Sequence, residues 1–381
     1  MRKVFIQEYF EDVELEEEYA GYDGYYYSVA EAITLIIVGS LCGLRHTRQI
    51  WQWAANDKIR EFLKEKFQIS RVPSYYWLLC LLKMVKPESM NRCFNAWISS
   101  MLSEEKAHTI AVDGKTVRST KKMKNCSAPL HIVSAQLGEL GLTYGQETVD
   151  DKSNEIPAVQ KLLEELDISG CIVVADALNC QKETAKIIVK GKGDYLLDAK
   201  GNQGALKKEI EGYVQDEELR KRMDMCSQTE KNRDRIETRT AYSSTEIGWM
   251  CEKPNWANLQ CIGAIHTEFD TSNGRTSEWH YYISSRPLTA QELLRHARLE
   301  WSVESMHWLL DVHFAEDYCR VENRNVQQTL NIVRKIALNL IKLYKKETSS
   351  KIALSNIMLN CRECKIKCVS RQGRDLRTLF L

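Results

Sequence analysis

The chain has 381 residues, a formal net charge of +1, 44% hydrophobic residues and 28% charged residues. That composition excludes a disordered or low-complexity chain and supplies ample material for a core. The near-neutral balance also excludes a uniformly basic nucleic-acid coat, so any grip on a polyanion has to come from local patches.

The charge is unevenly spread. Residues 1–31 carry Glu8, Glu11, Asp12, Glu14, Glu16, Glu17, Glu18, Asp23 and Glu31 against Arg2 and Lys3. A secretory signal starts basic and then turns apolar, so no signal peptide is expected here. The 13 cysteines are scattered without a secreted framework and are expected as reduced thiols in a cytoplasm. The stretch "SVAEAITLIIVGSLCGL" (28–44) contains Glu31 and Gly39 and stands at the lower length limit of a membrane span, so it reads as a buried core helix. Ile50, Trp53, Ala54, Ile59, Phe62 and Leu63 follow at close to helical spacing. Pro73 and Ser74 open "YYWLLCLLKMV", and a further helix is predicted over 90–102. Residues 1–105 therefore read as a helical region. It would bind DNA, dimerise, or simply pack on the rest of the chain.

From residue 107 the texture changes. "HTIAVD" is an apolar strand stopping on Asp113, and "LHIVSAQL" and "LTYGQETV" form a predicted hairpin through Gly138 and Gly141. "KSNEIPAVQKLLEEL" reads as a helix capped by Asn154, with Pro157 in its first turn. "CIVVAD" is a second apolar strand ending on a carboxylate, Asp176, and a helix over about 180–190 leads to the strand "DYLLDAK". This order describes a mixed α/β sheet. Residues 201–285 interrupt it with a charged helix and three β-like stretches, "RIETRTAYS", "LQCIGAIHTEF" and "EWHYYISS". Thr289 and Glu292 then form a capping box that opens a long helix. Leu293, Ala297, Trp301 and Trp308 fall on one stripe of that helix, with Glu304 on the same stripe. Glu304 is therefore predicted to point inward, and the two tryptophans are read as core rather than as base-stacking platforms. The last stretch is basic: ten Lys or Arg from Lys342 onward against Glu347, Glu363 and Asp375. Its "CRECKIKC" offers Cys361, Cys364 and Cys368 with no histidine after His313, short of the four ligands of a structural zinc site.

Asp113, Asp176 and Glu304 together suggest one site. Converging carboxylates repel one another and raise each other's pKa unless cations are present, and oxygen-loving divalent ions such as Mg²⁺ resolve that repulsion.

The segments "IAVDGKTVR", "HIVSAQ", "KSNEIPAVQKLLEELDISGCIVVADALNCQ", "GDYLLDAKGNQ", "YYISS" and "WSVESMHWLLDVHFAEDYCR" together resemble the DDE transposases of bacterial insertion sequences, in the branch that includes the H-repeat-associated (ISAs-type) proteins. "IWQWAAN" and "VPSYYWLL" resemble that branch's associated N-terminal domain. The resemblance implies an α/β, RNase H-like mixed sheet with a β-rich insertion between the second Asp and the Glu, preceded by an all-helical N-terminal domain. The implied division is a helical domain over 1–105, a core over 106–200, the insertion over 201–285, core helices over 286–345 and a basic tail over 346–381. By motif position Asp113, Asp176 and Glu304 become the catalytic, metal-binding triad. The implied cofactor is two Mg²⁺ ions, with Mn²⁺ able to substitute. The implied activity is cleavage at transposon ends followed by transfer of the 3′-hydroxyl into target DNA; a nuclease without strand transfer and an inactive DNA-binding remnant are the alternatives. The implied partners are double-stranded DNA and a second copy of the chain in a homodimer, with no membrane, in a bacterial cytoplasm at the nucleoid. Expected DNA contacts are Lys115, Arg118, Lys152, Asn154, Lys200, Asn202, Gln203, Arg320 and Arg324, all near the carboxylates or at a helix N-terminus. The chain departs from the family in four places: Glu300 stands where relatives carry a basic residue, four before the Glu; Ser305 stands where they carry Asn; Asp311 stands seven after the Glu, with no Lys one or two turns on; and "DGKTVRST" lacks the glycine usual after the Arg.

Overall fold

The computed structural model describes residues 6–102, 108–122, 129–149, 154–232, 235–272 and 274–362. Lys152, Cys364, Cys368 and most of the basic tail lie outside these.

Five helices come first: α1 (Val29–Leu41), α2 (Thr47–Ala54), α3 (Asp57–Phe67), α4 (Tyr75–Met84) and α5 (Pro87–Met101). The α1 helix is apolar on every face, and eleven of its residues are buried. A helix of that kind belongs at the centre of a bundle rather than on its surface. Among the described residues, no helix is long and apolar enough to cross a membrane. The apolar run after Ile50 is split into two helices because the Asn56 side chain accepts a bond from the Lys58 amide and starts a new one. The α5 helix starts at Pro87, three residues before the expected Met90, since proline is preformed for the first helical position.

The sheet comes next. Strand β1 (Thr109–Thr116) pairs antiparallel with β2 (His131–Leu137), and β2 pairs antiparallel with β3 (Leu142–Thr148). After α6 (Glu155–Glu165), β4 (Ile172–Ala175) lies parallel to β1. After α7 (Lys182–Lys190), β5 (Asp194–Asp198) lies parallel to β4. The fully buried Val112, Val173, Val174 and Leu197 mark these as central strands, as their unbroken apolar sequences require.

The charged segment after residue 203 forms α8 (Gly204–Gln215) and the short α9 (Glu217–Arg220). Strands β6 (Asp224–Asn232), β7 (Arg235–Ser244), β8 (Cys261–Thr271) and β9 (Gly274–Ser284) then make an antiparallel meander. The meander is no separate lobe: β9 pairs with β5, giving one nine-stranded sheet in the order β3-β2-β1-β4-β5-β9-β8-β7-β6. Strand β6 was not legible as a strand. Apart from Met225 and Cys226 it is polar ("DMCSQTEKN"), and it sits at the sheet edge, where one side needs no apolar alternation.

Helix α10 (Ala290–Phe314) crosses the sheet, and its capping box is formed by the Thr289 and Glu292 side chains and backbones. Helix α11 (Arg324–Glu347) then runs against α1, and α12 (Leu354–Arg362) ends the described chain. Buried residues from α1, β1, β4 and α11 belong to one continuous core, so the helical region packs directly on the sheet region. Burying each of Ile33, Leu35, Ile36 and Ile37 in that contact contributes about 1.5–3 kcal/mol.

Candidate active site

Parallel register sets the first two carboxylates side by side. Val112 pairs with Ala175, so the next residues, Asp113 and Asp176, occupy the same level of neighbouring strands. Strand β1 does not end at Asp113 as expected: it runs on to Thr116 paired with β2 alone, and it is β4 that stops. Asp113 therefore stands where a neighbouring strand gives way to a loop. Asp176 opens that loop, its Oδ1 accepting bonds from the Asn179 amide (3.2 Å) and the Asn179 side chain (3.0 Å).

Asp113 sits in a strongly perturbing environment. Burial pushes its carboxyl up to about 6; the Gly114 amide opposes this, and the charges of Glu155, Asp176 and Glu304 add to it. Glu304 is thus near enough to bias Asp113, but its own side chain is exposed. The expected inward stripe is wrong beyond Ala297. The buried face of α10 continues through Val303, Met306, Leu310 and Phe314, a stripe that advances by threes before fours and turns away from residue 301. Trp301 (68% exposed) and Trp308 (59% exposed) consequently face solvent on either side of Glu304, not the core.

Two carboxylates outside the expected triad adjoin the site. Glu155, the first residue of α6, accepts from the Asn179 side chain (2.9 Å) and lies 3.1 Å from His131 Nε2. Burial works against its charge, but bonds with His131 and Asn179 and the charges of His131 and His307 outweigh it, leaving the carboxyl below its ordinary range. The signal was present, since Glu155 lies inside "KSNEIPAVQ", but nothing local tied it to Asp113. Gly114 leaves it room: a Cβ there would collide with the Glu155 carboxylate and come within 2.6 Å of His131. Glu300, one turn before Glu304, is pushed up to about 7 by burial and then by the charges of Asp198 and Asp176, against which Lys200 and His280 work. His307 stands 3.7 Å from Asp113. Burial, with Lys335 and Lys115 nearby, pushes it down to about 3, so it is neutral at physiological pH.

The expected DNA contacts fall into distinct groups. The Lys115 ammonium is enclosed by Asp311 (2.6 Å), Glu316 (2.7 Å) and Asp317 (3.9 Å), so its charge is already neutralised within the fold. That network explains Asp311, whose position on α10 meets a cation from β1. Asn202 and Gln203 donate to the Ala177 and Cys180 carbonyls, bracing the loop that begins at Asp176. Asn154 caps α6 through the Ile156 amide. Arg118 is largely exposed beside Asp317, and Lys200 is half exposed beside Asp198. Arg320 is exposed beyond the end of α10, and Arg324 is half-buried at the start of α11.

The donor set is oxygen-rich and accumulates negative charge, as a site for a hard divalent cation requires. Among the described residues, no group of three His, Cys, Asp or Glu side chains is gathered closely enough to hold an ion as it stands. Glu304 is exposed and makes no hydrogen bond or ion pair among the described residues.

Residues 104–340 match the family described as "Transposase DDE domain", and residues 21–98 match the "DDE_Tnp_1-associated" family. The chain is 30% identical over 332 residues to the "H repeat-associated putative transposase YhhI" of Escherichia coli K12, covering 83% of this chain and 86% of that protein. It is 32% identical over 296 residues to "Putative protein YbfL" of the same organism, covering 74% and 76%. Among solved structures it is similar to a piggyBac transposase synaptic complex with hairpin DNA, at 10% identity and a TM-score of 0.41 over 88% of this chain and 70% of that one. The chain belongs to the DDE transposase family, in the company of the H-repeat-associated proteins.

Proposed function

We propose that this transposase cuts DNA at transposon ends and transfers the freed 3′-hydroxyl into target DNA, using Asp113, Asp176 and Glu304 as the ligands of two Mg²⁺ ions. The observation that carries the reading is the register of β1 and β4, which sets Asp113 beside Asp176 with Glu155 and Glu304 close enough to raise the Asp113 pKa. The strand order β3-β2-β1-β4-β5, with β1, β4 and β5 parallel, supports an RNase H-like core. Bound Mg²⁺ would supply acidity to an attacking water or hydroxyl and offset charge on the phosphate. The protein's own contribution is positional. Asp113 is fixed by a central strand, Asp176 by its bonds with Asn179, and Glu304 by a helix tied to β1 through Lys115 and Asp311. Neutral His307 adds no positive charge that would compete for Asp113.

DNA would lie across the exposed face of α10. Trp301 and Trp308 offer flat apolar surfaces there on which bases stack, and Arg118 and Lys200 offer cations at the margin. The working form is proposed to be a homodimer that holds two DNA ends.

The test is incubation of the protein with a labelled duplex carrying the element's own end, Mg²⁺ and a target plasmid. Joined products are expected. Cleavage without joining indicates a nuclease, and binding without cleavage an inactive remnant. Cleavage that survives Asp113→Ala unchanged would show that the chemistry lies elsewhere.

A further inference from the structure

A cavity of about 190 Å³ lies where the helical region meets the far end of α10, lined by residues 36–50 of α1, α2 and their connection, by Tyr75 and Phe314, and by residues 319–334 before and within α11. Its polar lining is Ser40, His46, Thr47 and the four arginines Arg45, Arg48, Arg320 and Arg334, and no carboxylate among the described residues lines it. Arg45, His46, Arg48 and Arg320 are exposed, which makes them its mouth. The Arg48 guanidinium stands 5.9 Å above the Tyr75 ring, and Arg45 donates to the Val312 carbonyl (3.0 Å), holding the end of α10 against the helical region.

Arg334 is the informative member. It is only 6% exposed and makes no hydrogen bond or ion pair among the described residues. Glu316, which adjoins it across a smaller void, is already bonded to Lys115 and Asn331. A guanidinium cannot shed its charge in a protein, and an isolated buried charge is strongly disfavoured unless an anion completes it. The folded chain therefore leaves a permanent cation at a cavity whose own lining holds no carboxylate among the described residues. The cavity is smaller than the roughly 300–1,000 Å³ typical of small-molecule sites, so it has room for a phosphate group rather than a whole nucleotide.

We infer that this cavity is a phosphate-binding site, built jointly by the associated helical region and the catalytic region, that takes a backbone phosphate of bound DNA. The inference rests on the DNA-cleaving reading above and extends it to a second contact point. Ten residues of α10 separate Glu304 from Phe314 at the cavity wall, about 15 Å at 1.5 Å per residue. At about 3.4 Å per base pair, that is a displacement of roughly four base pairs from the cleavage point. That axial separation is within the length of one bound duplex. A guanidinium cluster is well suited to such a group, because its donors match phosphate oxygens in pairs.

The experiment uses the full chain in EDTA with a fluorescein-labelled 30-base-pair duplex of arbitrary sequence, with anisotropy followed across a KCl series. The Arg48→Ala/Arg320→Ala variant changes exposed positions and loses only the Arg48 contact with the Tyr75 ring, so its fold is expected to persist, checked by circular dichroism. Its affinity is expected to fall about tenfold, with the salt slope reduced by about two. Arg334→Met is expected to weaken binding severalfold while its melting temperature without DNA stays level or rises, since it removes an uncompensated charge. If wild type binds and the variants match it in affinity and slope, the cavity assignment is overturned and the DNA-cleaving reading stands. If wild type does not bind the duplex at 50 mM KCl, both fall. A DNA-free melting temperature for Arg334→Met well below wild type would make Arg334 a structural residue and overturn the assignment. So would inorganic phosphate that stabilises wild type but not Arg334→Met while the variants bind DNA normally, because the cavity would then serve free phosphate.

Discussion

Asp113→Asn separates a functional carboxylate from a structural one. Asp113 ionises at about 6 in the fold against about 3.8 when unconstrained, so the folded state binds more protons between those values. Stability contributed by this group is therefore lost as pH rises from about 4 through 6, the reverse of an aspartate held by a salt bridge. A shift of about two units corresponds to about 3 kcal/mol. A third of the side chain faces solvent, and screening reduces the figure to about 1–2 kcal/mol at pH 8. Asn keeps the shape and removes the charge, so the variant should be more stable than wild type by that amount at pH 8 without metal. For a chain of this length that is a rise of about 1–3 °C in melting temperature. The difference should vanish near pH 4, where wild-type Asp113 is already protonated. Mg²⁺ should stabilise wild type and not the variant, and DNA cleavage should be lost. Differential scanning calorimetry at pH 4 and pH 8, with and without Mg²⁺, reads all of this except cleavage. An Asp113→Asn protein that melts below wild type at pH 8 would refute the reasoning, since the charge would then be satisfied by its neighbours.

Other expectations come from the same geometry. Lys115→Met removes the cation shared by the buried Glu316 and by Asp311 and should cost about 3–5 kcal/mol in urea unfolding at pH 7. Glu300→Gln should flatten the stability profile. Wild-type Glu300 ionises at about 7 against an ordinary 4.5, so wild type loses stability between those pH values as pH rises, and the variant should not. Thr289→Ala removes half of the α10 capping box and should lower stability by about 1 kcal/mol, seen as a lower urea midpoint at unchanged slope. Gly114→Ala should abolish cleavage while the fold persists by circular dichroism, because the added methyl displaces Glu155 from His131 and Asn179.

Much of the fold was legible in the sequence because its signals are local. Ser74, Asn154 and Thr289 cap helices where the chain pattern expects helices to start, and the apolar runs ending at Val112, Ala175 and Leu197 form the three parallel strands. These depend on bonds between residues two to four apart and on side chains too apolar for any other place. The polar edge strand β6 had no such signal. The exposed Trp301 and Trp308 had a misleading one, because a helical stripe read with fixed steps drifts from a face that real packing turns.

The sequence by itself determined the order of most elements, the apolar central strands that lead to Asp113 and Asp176, and the family. The tertiary structure alone decided what surrounds those carboxylates. Lys115 finds Asp311 and Glu316 196 and 201 residues away and becomes an internal clamp, Glu155 and Glu300 join the charged cluster, and Arg334 is left buried facing a cationic cavity. The reason is physical. Helix caps and strand patterns act over a few residues, whereas the environment of a charge depends on every element packed against it.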